Sequence, residues 1–464
     1  MFLAFAGIVG GRARASGGER VVRLRRGMDV PIAGAPVQRI EPGPDVTSVG
    51  LVAADWGIDA TSLVRAGERV RTGQPLLRDR RHPSVHVGSP GTGVVSAVHV
   101  GARRALQSVV VDLDEASGES ERFPTFDPEA LARAEPIRIR EALLASGTWA
   151  VVRTRPFGVV PSPEAEPAAL FVTAIDTEPL CPDPRVVIAA DPAAFDAGLT
   201  ALTRLVAAPV FLCRGPGAAL PTGDPVRVTV ATFHGPHPAG LVGTHAHFLM
   251  PVSATRSIWH VGYQDVIAIG RTLIGGRPSL ERVVALAGPV VRRPRLVRTR
   301  VGAAMDDLLR GDLEGVACRV VSGSVLSGRI ATGAAAFLGA THRQVSVLAE
   351  AHAHEAGGSR RPARPWSVYG APWRTRARYA MTTARRGGPE PMVPVDTFDR
   401  VMPLDVLATP LLRALLVGDV ETAEALGCLE LEEEDLALCT LLCPSRIDYG
   451  SLLRRTLCEI EART

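Results

Sequence analysis

The sequence predicts a multidomain chain of mixed α/β and α+β class, and three patterns carry that prediction. Between Val21 and Leu113, short runs of alternating apolar and polar residues are punctuated by Gly and Pro. From Ile137, strand-like apolar runs alternate with helix-like stretches. Beyond Pro403, apolar residues recur three and four apart. The length of 464 residues exceeds what one core organises and sets a prior of about three domains.

Composition narrows the function classes. The chain is 46% hydrophobic and 22% charged, as soluble globular proteins are, and its net charge of +4 gives no argument for nucleic acid. Every basic side chain counted with arginine is arginine, because the sequence contains no lysine. Biotinylation, lipoylation and Schiff-base chemistry through lysine are therefore excluded. The cysteines, Cys181, Cys213, Cys318, Cys428, Cys439, Cys443 and Cys458, are scattered and odd in number. That fits a reducing cytoplasm and no disulfide framework. No apolar run approaches the roughly 18–20 residues of a spanning helix. The opening MFLAFAGIVGGRARASGG has no basic residue ahead of its apolar segment, so residues 1–20 are expected to be a disordered extension rather than a signal peptide.

The first unit, residues 21–115, contains VVRL, TSVGLV, PLLRD, HVGSPGTGVVSAVHV and QSVVVDL as candidate strands. Within it, LVRAGERVRTGQPLL (Leu63 to Leu77) has a V-x-x-G-x-x-V-x-x-G-x-P-L rhythm that resembles barrel-sandwich domains of the biotinyl/lipoyl type. The segment that follows, RDRRHPSVHV, offers no lysine for a swinging arm. Asp114 to Pro136 is expected to be a linker. The second unit, residues 137–275, contains the helix candidates IREALLASG and PAAFDAGLTALTRLV, the latter started by Asp191 or Pro192, and the strand candidates ALFVTAID, PVFLCRG and VRVTVATF. This alternation predicts a Rossmann-like, doubly wound sheet with ligands outside the carboxyl ends of its strands. Residues 283–347 (VVALAGPVV, RLVRTRVG, AAMDDLLRG, CRVVSGSVL) read as strand, strand, helix, strand, a small β-grasp module. Ala356 to Pro394 is expected to be an irregular connection, and residues 395–464 a helical domain.

HGPHPAGLVGTHAHF, His234 to Phe248, places four of eleven histidines at H-x2-H-x7-H-x-H at a strand-then-loop junction. Zinc needs three or four converging ligands. On a strand, His245 and His247 would share a face, with His234 and His237 closing in. No Asp, Glu or Cys lies between them, and Gly235, Gly240, Gly243, Pro236 and Pro238 favour a structural or ligand-facing loop. No metal is assigned. Cys439 and Cys443 in CTLLCP match the end of a ferredoxin run, but the other two ligand positions hold Leu436 and Glu433. The region is at most a degenerate ferredoxin-like domain. Cys428 and Cys458 stand at unusual spacing for completing a set. After Gly147 only Gly158 falls where a phosphate cradle needs a glycine-rich loop. Arg153 and Arg155 could grip an anion or lie on the surface.

Long stretches of the chain are similar to one family, among them RRGMDVPIAGAP, FVTAIDTEPL, GPHPAGLVGTH, ERVVALAGPVV, RVVSGSVLSG and ALGCLELEEEDLALCTLLCP. From about Val21 to Glu461 the chain resembles the NqrA family, the A subunits of bacterial Na+-translocating NADH:quinone reductases. The resemblance implies an SLBB-like identity for the β-grasp module. It also implies relatives, the C subunit of the Rnf complex and the flavin subunit of respiratory complex I, that carry an FMN loop and cysteine-ligated clusters. It further implies a peripheral component on the cytoplasmic side of the inner membrane that holds no cofactor itself. Its partners would be subunits B, C, D, E and F, which carry FMN, FAD, riboflavin and iron centres. The complex would couple electron transfer from NADH to ubiquinone with Na+ export. Within that frame, His234, His237, His245, His247 and Phe248, with Leu241, are candidates to bind a quinone, supplying donors and apolar surface. The alternative is a scaffold that touches no substrate.

Overall fold

The computed structural model describes residues 11–16, 19–114, 118–351, 377–384, 392, 396–445 and 447–463. Most of the connection expected between Ala356 and Pro394 lies outside these residues.

A seven-stranded sheet forms the centre. Its order is Gly11–Ser16, Glu19–Leu24, Val228–His234, Val210–Arg214, Leu170–Ala174, Ile258–Gly262, Arg153–Arg155. The five inner strands are parallel, and both edge strands run antiparallel. Period-two alternation splits each central strand between two cores. Leu170 and Val172 face the helices Pro192–Leu205 and Tyr263–Gly275, whereas Phe171, Phe211 and Phe233 pack with Val242, Ala246 and Leu249 of the helix Val242–Leu249. Asp191 caps the first of these helices by accepting from the Ala194 amide at 3.1 Å, with Pro192 as its first residue.

A barrel-sandwich lies beside it, built from a four-stranded sheet (Ser48–Val52, Leu106–Leu113, Gly93–Val100, Arg69–Val70) and a three-stranded one (Ala60–Ser62, Pro75–Asp79, His86–Gly88). Gly67 and Gly73 of the repeated rhythm hold φ of +90° and +86°, turns a β-carbon would strain, while Val64, Val70 and Leu76 are buried. Arg81, in the segment after the rhythm, is tied to the C-terminal helix Tyr449–Glu461 by a 2.7 Å contact with Glu461. The β-grasp module is a six-stranded mixed sheet, and the C-terminal unit is helical.

Two strands leave the unit where their position in the chain puts them. Glu19–Leu24 joins the central sheet parallel to Val228–His234, and Val37–Pro42 joins the β-grasp sheet parallel to Arg295–Arg300. The cause for the first is that Val22 and Leu24 alternate onto the buried face of a sheet whose edge would otherwise be open. Part of the expected disordered extension is therefore strand: Gly11–Ser16 and Glu19–Leu24 pair as a hairpin. The expected linker carries a helix, Pro128–Arg133, capped by Asp127, which accepts from Ala130 N at 2.7 Å.

Candidate functional site at the mouth of the sheet

The carboxyl ends of the parallel strands face the β-grasp module and the C-terminal unit. The histidine stretch begins there, but its residues diverge. Val242, Ala246 and Leu249 are buried four and three apart, and the segment is a helix rather than a strand. Residues two apart on a helix point about 200° apart, so His245 and His247 do not share a face.

His245 turns inward against Phe233, ring centroids 4.3 Å apart, with Nε2 2.9 Å from the Ala239 carbonyl. Burial drives its pKa down to about 3, so it is a neutral core imidazole. His247 turns outward. Its Nε2 accepts from the Asp405 amide at 3.1 Å, which leaves the proton on Nδ1, 2.8 Å from Glu430 Oε2. Phe248 packs edge-on against His247. His237 is buried behind a cis bond to Pro238. Its amide donates to Asp29 at 3.0 Å, its carbonyl accepts from Met28 N at 2.7 Å, and its Nδ1 lies 3.2 Å from Thr177 Oγ1. Of the nominated residues, His234 lines an open cleft of about 440 Å³ with Phe233, Ile175, Thr177 and Gly215, and Leu241 lines a separate polar cavity. His237, His245 and His247 instead brace the helix to the sheet and to the C-terminal unit.

The groups that do converge come from RTRPF and LEEED. Arg155, fully buried on the edge strand, donates from Nη1 to Asp435 Oδ2 and from Nη2 to Glu434 Oε1, both at 2.7 Å, with Glu432 Oε2 at 3.4 Å. Asp435 is 1% exposed, Glu432 12% and Glu434 34%. Burial opposes the guanidinium's charge, but Glu432, Asp435 and Glu434 together raise its pKa above the usual range. Three carboxylates for one cation leave a surplus of negative charge. Burial, reinforced by the neighbouring acids, pushes Glu434 up to about 8 and also raises Glu432.

Beside this cluster is a polar cavity of about 270 Å³ lined by Arg153, His260, His342, Arg343, Glu178 and Glu434 among others. Burial holds His342 down to about 4 and His260 well below its ordinary value, so both are neutral. Arg343 bonds Asp176 at 2.9 Å and sits 5.0 Å over the Tyr263 ring. Arg153 donates to the carbonyls of Val152 and Asp55, and burial lowers its pKa to about 10. Sequence reasoning presents Arg153 and Arg155 only as anion grips or surface groups and misses the acids. The run of four acids inside an otherwise apolar helical stretch is the available signal.

The NqrA protein of Pseudomonas aeruginosa (strain UCBPP-PA14), the A subunit of its Na+-translocating NADH-quinone reductase, is 50% identical to this chain over 448 residues. The match covers 95% of this chain and 99% of that one. This chain belongs to the NqrA family. The NqrA protein of Klebsiella pneumoniae (strain 342) is 47% identical over 450 residues, and that of Yersinia pestis 45% over 448, each covering 95% of this chain and 99% of the other. Three NqrA family descriptions match in order: the N-terminal barrel-sandwich hybrid domain at 22–114, the second alpha/beta domain at 134–278 and the C-terminal domain at 283–333. An NqrA chain is thus one component of an oxidoreductase complex. No helix among the described residues is long and apolar enough to cross a membrane.

The residues at the ferredoxin-like run of this NqrA chain do not fit a cysteine-ligated cluster. The anion grip at Arg155 is filled by the chain's own carboxylates. At the two remaining cluster positions, Leu436 is core and Glu433 holds Arg454, Nη2 to Oε2 at 2.6 Å. Cys439 and Cys443 are buried thiols, the latter 3.5 Å from Tyr449 Oη.

Proposed function

We propose that the chain acts as the peripheral NqrA component of a sodium-pumping NADH:quinone reductase. It docks from the cytoplasmic side onto partner subunits B to F, which carry the flavins and iron centres, and it stabilises the assembly through which electrons pass from NADH to ubiquinone as Na+ is exported. The observation that carries this reading is the use of His237, His245 and His247 as internal braces between the sheet, its helix and the C-terminal unit. Side chains committed in this way organise a rigid body for docking better than they serve a reacting centre. The test is to purify the complex with and without this chain and measure NADH-dependent quinone reduction and Na+ uptake. Loss of assembly or activity without the chain is expected, and an intact, fully active complex lacking it would sink the proposal.

A second reading keeps the quinone on this chain. His234 lines the open cleft at the carboxyl ends of three parallel strands with apolar Phe233 and Ile175, where ligands of such sheets bind. Under this reading His234 donates to a quinone carbonyl. His237, His245, His247 and Phe248 contribute by holding the helix behind it. Tryptophan quenching of the isolated chain by a water-soluble ubiquinone analogue tests it. Saturable binding weakened by His234→Ala supports it, and the absence of saturation leaves the docking role alone.

A further inference from the structure

The closed cluster around Arg155 has the parts of an anion site. The helix Val242–Leu249 begins at the mouth of the sheet, and no side chain caps its first turn. A helix start carries a partial positive charge and free amides, which attract anions. Asp435 lies against that turn: a β-carbon on Gly243 would stand 2.5 Å from both of its carboxylate oxygens. Oδ2 accepts from Arg155 Nη1 at 2.7 Å and from the Glu432 amide at 2.9 Å. Oδ1 is buried without a hydrogen-bond partner, as are Arg155 Nε and, in the same helical turn, Thr244 Oγ1. The Arg155 guanidinium, which also holds Glu434 Oε1 at 2.7 Å, and the close approach at Gly243 beside the helix start therefore meet on one carboxylate, which lies about 280 residues beyond Arg155 in the chain.

We propose that Arg155 and the first turn of Val242–Leu249 form an oxyanion-binding site, closed from within by the Asp435 carboxylate acting as an intramolecular ligand. The C-terminal unit is held on the sheet by occupying this site, and a small free oxyanion, a carboxylate or phosphate, can take the place of Asp435. The competing explanation is local: Asp435 also caps the turn Glu433–Leu436 through the Glu432 amide. A cap acts through a bond within its own turn, which an anion free in solution does not restore in a directed way. It also accounts for neither Arg155 nor the contact at Gly243.

Chemical rescue separates the two. Asp435→Ala removes a carboxylate that acetate or inorganic phosphate can replace. The full chain and the variant are melted in sodium chloride, acetate and phosphate at matched ionic strength. The variant should gain several degrees of melting temperature, saturably, in acetate or phosphate relative to chloride, and the unsubstituted chain should not. If the variant does not fold in chloride, its yield of soluble chain on refolding should recover with acetate or phosphate. The double variant Arg155→Gln/Asp435→Ala should lose the rescue. Equal responses in variant and parent, no response in a folded variant, no recovery of an unfolded one, or rescue that survives loss of Arg155 would each overturn the proposal.

Discussion

At the scale of single residues, the charge surplus around Arg155 makes folding stability depend on pH. Glu434 has an ordinary pKa of 4.5 and is pushed to about 8 by burial and by its acidic neighbours. A carboxyl whose folded-state pKa lies above its unfolded value favours the folded state when protonated. Its contribution is complete below about pH 4.5 and is lost as pH rises through about 8. The buried His245 acts with the opposite sign. Its pKa falls from 6.5 to about 3, so its contribution is present above about 6.5 and is lost on acidification toward 3. Comparing Glu434→Gln with the parent isolates the first effect. The parent should lose stability relative to the variant as pH is raised from about 5 to about 9, read as the difference between their urea midpoints. Glu434 is 34% exposed, and water softens the slope without changing its sign. A difference independent of pH would show that the carboxyl titrates normally.

At the scale of elements, the helices Pro192–Leu205 and Tyr263–Gly275 cross at two glycines that their sequences do not explain by propensity. A β-carbon on Gly198 would meet the Val266 carbonyl at 1.9 Å, and one on Gly270 would meet the Ala194 carbonyl at 1.9 Å. Gly→Ala inside an exposed helix stabilises by about 1 kcal/mol. Here it should destabilise by about 1–3 kcal/mol, the cost of overpacking, and denaturant unfolding of Gly270→Ala checks the sign. Legibility from sequence follows the same logic. Alternation and helical period are readable where one face of an element is buried, so the central strands, the Asp191 cap and the barrel rhythm can be placed. The segment from Leu241 to Leu249 misleads because Gly235, Pro236, Pro238 and Gly240 suggest an irregular loop, while the buried spacing of Val242, Ala246 and Leu249 occupies only two turns. The Arg155 cluster joins residues about 280 apart; local pattern reveals each half but not their meeting.

At the scale of the whole molecule, sheet pairing ties together units that the chain order separates. Glu19–Leu24 completes the central sheet, Val37–Pro42 completes the β-grasp sheet, and the residues after them build the barrel. The parallel registers Ala231 with Arg20 through His234 with Arg23 cover the edge of Val228–His234, and Val22 is fully buried beneath them. Removing residues 1–24 would therefore not trim a tail. It would uncover a strand edge and the apolar face that Val22 and Leu24 share with Phe171, Phe211 and Phe233, the combination that promotes edge-to-edge association. A chain starting at Arg25 should be recovered largely as aggregate on size-exclusion chromatography, whereas one starting at Glu19 should elute with the full-length protein. If the shorter chain were equally soluble and melted at the same temperature, the pairing of Glu19–Leu24 with the central sheet would be dispensable. The same coupling argues that 134–278, although a recognisable family unit, is not an autonomous folding unit here, because the strand that closes its sheet is supplied from more than a hundred residues upstream.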